Sequence, residues 1–204
     1  MTGQPGRRQR ETYRERVERR AAIEDPDVVL NAAARYLEQR SRSTDELRRH
    51  LVVKGYKPEL VEAAVARLTA LGMLDDEAFA RAWIESRDRA RPRGEQMLRR
   101  ELAHKGIDRE TVAALLDSRR EDDAADATPY GAGADVRAAE RLLDKRRTAL
   151  TRVADARVRR QRAYALLARN GFDPEVCRQA AARFVDPASA NTAAEALEQE
   201  EDQP

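Results

Sequence analysis

One phrase occurs three times along this chain: an amphipathic helix pattern, a glycine, a large apolar residue, and a second helix pattern opening on an acidic turn. The copies centre on Lys54-Gly55-Tyr56, Lys105-Gly106-Ile107 and Asn170-Gly171-Phe172. A repeat constrains the fold more than any other feature. A short helical unit cannot bury its apolar face alone, so neighbouring units must stack. Stacked helical units more often form an extended binding surface than a pocket for chemistry.

Each copy carries its own stop and start signals. Gly55, Gly106 and Gly171 follow the last apolar-periodic residue of a helix, where glycine accepts a left-handed turn without a Cβ penalty. Tyr56, Ile107 and Phe172 can then fold back onto the helix just ended. Pro58 and Pro174 suit the first position of the next helix, which needs no amide hydrogen. Asp108 and Asp173 suit its N-cap, and Glu59, Glu110 and Glu175 favour the positive end of its dipole. Leu51, Leu102 and Leu167 precede the glycines at one spacing, and Val61, Val112 and Cys177 follow them at another. These positions put one core-facing stripe on each helix of the pair.

Extended along the chain, the pattern predicts an all-α fold of three tandem three-helix, helix-turn-helix-like repeats in an elongated, curved array with flexible termini. Residues 1–25 read as a polar, Arg-rich flexible extension or a frayed helix. Repeat 1 covers 26–74, with Val29, Ala33, Tyr36 and Leu37 on one face and a Ser43/Glu46 capping box. Repeat 2 covers 75–120, with Phe79, Ala82 and Trp83 inside and a break at Arg91-Pro92-Arg93-Gly94. Its last helix is expected over 108–118. Residues 121–134 read as a flexible linker, acidic and then Gly/Ala-rich, which leaves repeat 3 free to swing. Repeat 3 covers 135–185, with helices near 135–147, 155–170 and 174–184. It packs through Val136, Ala139, Leu142, Leu143, Leu166, Leu167, Val176 and Phe184. Ala163 stands where the other copies have Leu47 and Leu98. Residues 186–204 read as an acidic disordered tail.

Composition agrees with this reading. Charged residues make up 37% and aromatic residues 4%, which suits exposed amphipathic helices better than one deep core. No apolar run is long enough to span a bilayer, and no apolar-centred signal peptide is present. The one cysteine excludes an intramolecular disulfide framework. A monomeric, cytoplasmic protein without membrane contact is expected. The net charge of +2 hides an asymmetry between the basic arm and the acidic tail.

Catalysis finds no support, and no metal or cofactor is expected. His50 and His104 lack metal-motif spacing, Cys177 sits at a core position, and Asp75-Asp76 reads as a helix cap. Trp83 and Tyr36 fall on apolar faces. Arginine is the main signal. With Leu47 and Leu51 inward, Arg48 and Arg49 lie partly outward. With Leu98 and Leu102 inward, so do Arg99 and Arg100. Arg87, Arg91 and Arg93 run between them, and Arg146, Arg147, Arg159 and Arg160 cluster in repeat 3. Aligned units would turn these eleven residues into a discontinuous basic stripe suited to phosphates or an acidic protein surface. The opposing reading is a set of solubilising arginines paired locally with acids, since 37 acids oppose 39 bases. A helix-turn-helix over 46–68 would offer the major groove only Arg67, a poor recognition surface.

In Arg42-Ser43-Thr44-Asp45-Glu46-Leu47, in Gly72-Met73-Leu74-Asp75-Asp76-Glu77-Ala78-Phe79-Ala80, in Gly94 through Ile107, and in Gln161 to Phe172, the sequence resembles the RecX family of regulators of the RecA recombinase. The resemblance spans about residues 28–185. It implies tandem three-helix units that bind the RecA filament and inhibit ATP hydrolysis, strand exchange and co-protease activity, with contacts to single- or double-stranded DNA. It carries over no compact catalytic or binding motif, so the arginine set rests on exposed charge. Two alternatives stay open: a stand-alone DNA-binding helical-repeat protein with no recombinase partner, and a helical adaptor for an unrelated protein.

Overall fold

The repeated glycines end helices as the sequence requires. In the computed structural model, which describes residues 11–125 and 133–186, Gly55, Gly106 and Gly171 have φ of 96°, 79° and 81°. The amides of Tyr56, Ile107 and Phe172 bond back to the carbonyls of Leu51, Leu102 and Leu167 at 3.3, 3.1 and 3.4 Å. Gly72 makes a fourth stop of the same kind, with Met73 bonding to Leu68 at 2.9 Å. Each stop satisfies carbonyls that a helix C-terminus would leave open.

Eleven helices and no strands occur among the described residues. They are α1 (Tyr13–Ala21), α2 (Pro26–Leu37), α3 (Thr44–Val53), α4 (Pro58–Ala70), α5 (Asp76–Ala90), α6 (Glu95–His104), α7 (Arg109–Ala125), α8 (Ala134–Lys145), α9 (Arg147–Thr151), α10 (Ala156–Arg169) and α11 (Pro174–Val185). The chain divides into two compact units, with the boundary between Phe79 and Ala80 inside α5.

In the first unit α2, α3 and α4 pack around Val29, Ala33, Leu47, Leu51, Val61, Ala64, Val65, Leu68 and Leu74. Ser43 and Glu46 form the expected capping box, Asp25 caps α2, and Pro58 opens α4. Burying each Leu of this core contributes about 1.5–3 kcal/mol. An exposed ion pair contributes about 0–1 kcal/mol, so the apolar stripe dominates the unit's stability.

The segment read as a flexible arm is helical over Tyr13–Ala21. Thr12 and Glu15 form a capping box, and the helix is fixed to repeat 1 rather than frayed. The Tyr13 hydroxyl donates to the Val53 carbonyl at 3.0 Å, and Arg20 Nη1 to the Lys54 carbonyl at 3.3 Å. Val17 lies so close to Gly55 that a Cβ there would sit 2.8 Å from its Cγ1. Residues 1–10 of the arm lie outside the described residues.

In the second unit α5, α6 and α7 bury Ile84, Leu98, Leu102, Ile107, Val112, Leu115 and Leu116. Phe79 is buried as expected, but Ala82, expected inside, is exposed; Ala80 and Ile84 take the other buried positions of α5. Helix α7 runs to Ala125, past the end expected at Ser118 and into the segment read as linker. Arg119 to Ala125 contains no Gly or Pro to stop it. Residues 126–132 of that linker and the tail beyond Asp186 fall outside the described residues, and its last two residues, Gly133 and Ala134, open α8.

Helices α8, α10 and α11 close the last core around Ala138, Ala139, Leu142, Leu143, Ala163, Leu167, Phe172, Cys177, Ala180 and Ala181. Val136 is buried as well, and Leu166, Val176 and Phe184 pack partly buried against the cluster. Ala163 is fully buried and the pair closes around it. The short α9 is an element the sequence pattern did not reveal.

The swing expected of repeat 3 is contradicted by its attachment to repeat 2. The amide of Gly94 bonds to the Asn170 carbonyl at 3.0 Å and that of Gln96 to the Gly171 carbonyl at 3.2 Å. The Glu95 amide donates to Asp135 at 3.0 Å. Arg119 bridges Asp88 and Asp135 at 3.0 and 2.8 Å with 11% of its side chain exposed. Lys145 Nζ donates to the carbonyls of Arg89 and Ala90 at 2.9 and 2.7 Å, closing the end of α5.

Candidate functional site

The eleven arginines singled out by exposed charge separate into two groups. Seven are engaged within the protein. Arg48 on α3 grips Glu62 on α4 through two bonds of 2.6 and 3.0 Å, and this carboxylate raises the guanidinium pKa further. Arg49 pairs with Asp45 one turn earlier. Arg99 pairs with Glu95 at 2.7 Å. Arg147 pairs with Asp144 at 2.5 Å and lies 5.3 Å from the Phe184 ring centroid. Arg159 donates to the Val153 carbonyl at 2.9 Å.

Arg87 and Arg93 converge on Glu101, at 2.6 and 3.5 Å. Glu101 also accepts from the Trp83 indole at 2.8 Å. The Arg87 guanidinium and the Lys105 ammonium lie 4.1 and 4.8 Å from the Trp83 ring centroid. Trp83 is therefore half-buried among cations rather than enclosed in the core. Arg93 also bonds to Asn170, joining α10 to the break before α6.

The other four, Arg91, Arg100, Arg146 and Arg160, are exposed and have no acidic partner among the described residues. Two of them meet. Arg91, Arg93, Lys145, Arg146 and Asn170 line an open cleft of about 400 Å³ between repeats 2 and 3, with Pro92 and Leu142 as its apolar lining. No carboxylate lines it. Next to the lining residues Arg93 and Asn170, Gly94 meets Gly171, and a Cβ on either glycine would lie closer than 3.0 Å to backbone of the other repeat. Sequence reasoning found the arginines of this cleft but missed Lys145 and Arg119, whose partners lie on other helices and leave no local spacing signal.

The remaining reactive groups serve structure. Cys177 is fully buried, and burial pushes its thiol pKa up, away from nucleophilic use. Asp75 caps α5 through the Ala78 amide at 2.8 Å. Among the described residues no cluster of three or more His, Cys, Asp or Glu side chains could hold a metal. Among the described residues no helix is long and apolar enough to cross a membrane.

Three-helix units with repeated glycine stops define a helical-repeat protein, with its conspicuous chemistry in surface guanidinium groups. Residues 30–68 match the model of the first three-helix domain of RecX, and residues 75–116 that of the second. The chain is 32% identical over 145 residues to "Regulatory protein RecX" of Thermobifida fusca, covering 71% of this chain and 70% of that protein. It is 35% identical over 144 residues to the protein of the same description in Mycobacterium marinum, covering 70% and 76%. The chain belongs to the RecX family. A RecX crystal structure from Lactobacillus salivarius superposes with a TM-score of 0.63 at 17% identity, over 78% of this chain and 96% of that one. A second RecX crystal structure gives 0.60 at 20% identity, over 74% and 68%. At these identities the superpositions establish a shared fold.

Proposed function

We propose that this chain is a non-enzymatic negative regulator of the RecA recombinase. It binds the RecA–DNA filament and inhibits ATP hydrolysis, strand exchange and co-protease activity. Family membership supports the regulatory role. The observation that carries the binding mode is the acid-free cleft lined by Arg91, Arg93, Lys145 and Arg146. The Arg91 and Arg146 guanidinium groups, which have no acidic partner among the described residues, are available for acidic side chains of a filament or for DNA phosphates. A protein gripping several sites along a filament blocks nucleotide-linked movements without touching nucleotide.

The test is co-sedimentation with RecA filaments on single-stranded DNA. Arg91→Glu/Arg146→Glu should weaken association at least about tenfold with unchanged helical circular dichroism. Full affinity in that variant would overturn the cleft as the contact.

The same cations support a second reading, a DNA-binding protein with no recombinase partner. That protein would bind DNA equally well with and without RecA. Its binding would fall steeply with salt.

A further inference from the structure

A second basic cleft lies in the first unit. Helix α1 lies against the end of α3 and closes a cleft of about 320 Å³ lined by Arg20, Arg35, Tyr36, His50, Lys54 and Tyr56, with no carboxylate in its lining. A helix C-terminus normally repels anions, but here its last carbonyls are occupied. The carbonyls of His50, Leu51 and Val52 accept backbone amides, that of Val53 accepts the Tyr13 hydroxyl, and that of Lys54 accepts Arg20. Helix α1 thus covers acceptors and adds a cation. Arg35 and Lys54 are exposed, and neither side chain has an acidic partner among the described residues.

Aromatic groups stand beside these charges. His50 stacks on Tyr36 with centroids 3.7 Å apart and planes 8° from parallel. Arg42 lies 4.3 Å from the Tyr36 centroid, and Arg20 5.7 Å from that of Tyr56. Cations beside aromatic rings suit a strand whose phosphates and bases are both exposed. Tyr36 lies between His50 and Arg42, so His50 and Tyr56 are the rings of the lining that a base can reach, and an acidic peptide would leave them unused.

We propose that α1 and the first three-helix repeat form a phosphate-binding cleft whose ligand is the backbone of a single nucleic-acid strand, with Arg20, Arg35 and Lys54 as its cationic contacts. The proposal rests on the reading of this chain as a partner of DNA-loaded filaments, and gives the strand a place on repeat 1. It makes the N-terminal helix part of the binding surface. The cleft also contains its own reporter. Burial, followed by the charges of Lys54, Arg42 and Arg20, holds the His50 pKa below its ordinary value. An anion among those charges favours the protonated imidazole, so occupancy must raise that pKa.

The test uses the full chain without recombinase, so its failure is distinct from failure of the filament reading. Imidazole resonances of His50 and His104 are titrated by NMR alone, with inorganic pyrophosphate, with a short oligothymidylate, and with oligoglutamate. Pyrophosphate and oligothymidylate should each raise the His50 midpoint by about 0.5 pH unit and leave His104 in place. Arg35→Ala/Lys54→Ala should weaken oligothymidylate binding about tenfold, measured by fluorescence anisotropy. Arg67→Ala/Arg109→Ala, which removes the same charge elsewhere, should weaken it less than about twofold. Equal losses in the two double variants, or equal shifts of both histidines, would overturn the site. A His50 shift with pyrophosphate alone would overturn the strand as ligand. An equal shift with oligoglutamate would overturn nucleic acid as the preferred partner.

Discussion

Gly94 and Gly171 bring two backbones of the second unit into contact, and their neighbours leave no room for a methyl group. Gly72 differs: it has φ of 68°, yet a Cβ there would meet nothing within 4 Å. The two situations predict different costs. Gly72→Ala should lose about 1 kcal/mol, the strain of a left-handed residue. Gly94→Ala should lose about 3 kcal/mol, since backbone rather than a side-chain tip must move. Urea unfolding followed by circular dichroism checks both, and equal losses would contradict the packing account. The positive φ of the repeat glycines was legible from their place after an apolar stripe. The contact of Gly94 with Gly171 was not, because it joins residues far apart in sequence. For the same reason the arginine list overstated the free charge. Pairs such as Arg49–Asp45 follow helical spacing, whereas Arg48–Glu62 and Arg87–Glu101 cross between helices.

Between elements, Arg119 does what no helix-local pattern announces: it joins Asp88 on α5 to Asp135 on α8. Removing it leaves two partly buried carboxylates facing each other. Arg119→Met should therefore destabilise the second unit by about 3 kcal/mol, read as a lower urea midpoint in Trp83 fluorescence. A loss under about 0.5 kcal/mol would show that repeat 3 is held by other contacts. Glu95 supplies a pH test of the same region. Burial raises its pKa, but bonds from Arg99 and Arg120 outweigh burial and set it below the ordinary 4.5. A carboxylate with a depressed folded pKa contributes stability that is present above the unfolded value and lost as pH falls through the folded one. Stability should thus decline below about pH 4.5, and Glu95→Gln should flatten that decline. An identical acid limb in the variant would remove Glu95 from the account. Helix starts and stops were well legible, since capping boxes, prolines and glycines are local devices. Helix α1 was less so: no residue it contains is buried, and its hold on repeat 1 depends on Tyr13, Val17 and Arg20 meeting Val53, Lys54 and Gly55.

For the whole molecule, threefold repetition selects a protein whose work is done on its surfaces. The cores take Leu, Val and Ala side chains, while guanidinium groups such as Arg91, Arg100, Arg146 and Arg160 lie exposed. Binding through such groups depends on salt. Filament association should fall steeply from low to moderate salt, with a log–log slope set by the phosphates contacted. A flat response would mean that apolar or buried contacts dominate. The most direct test of the central claim is ATP hydrolysis by RecA on single-stranded DNA, with this protein titrated from far below to above the RecA concentration. The account predicts inhibition at substoichiometric levels that excess free DNA does not relieve. Unchanged hydrolysis at every ratio, or inhibition only at saturation and reversed by added DNA, would contradict a filament-directed regulator.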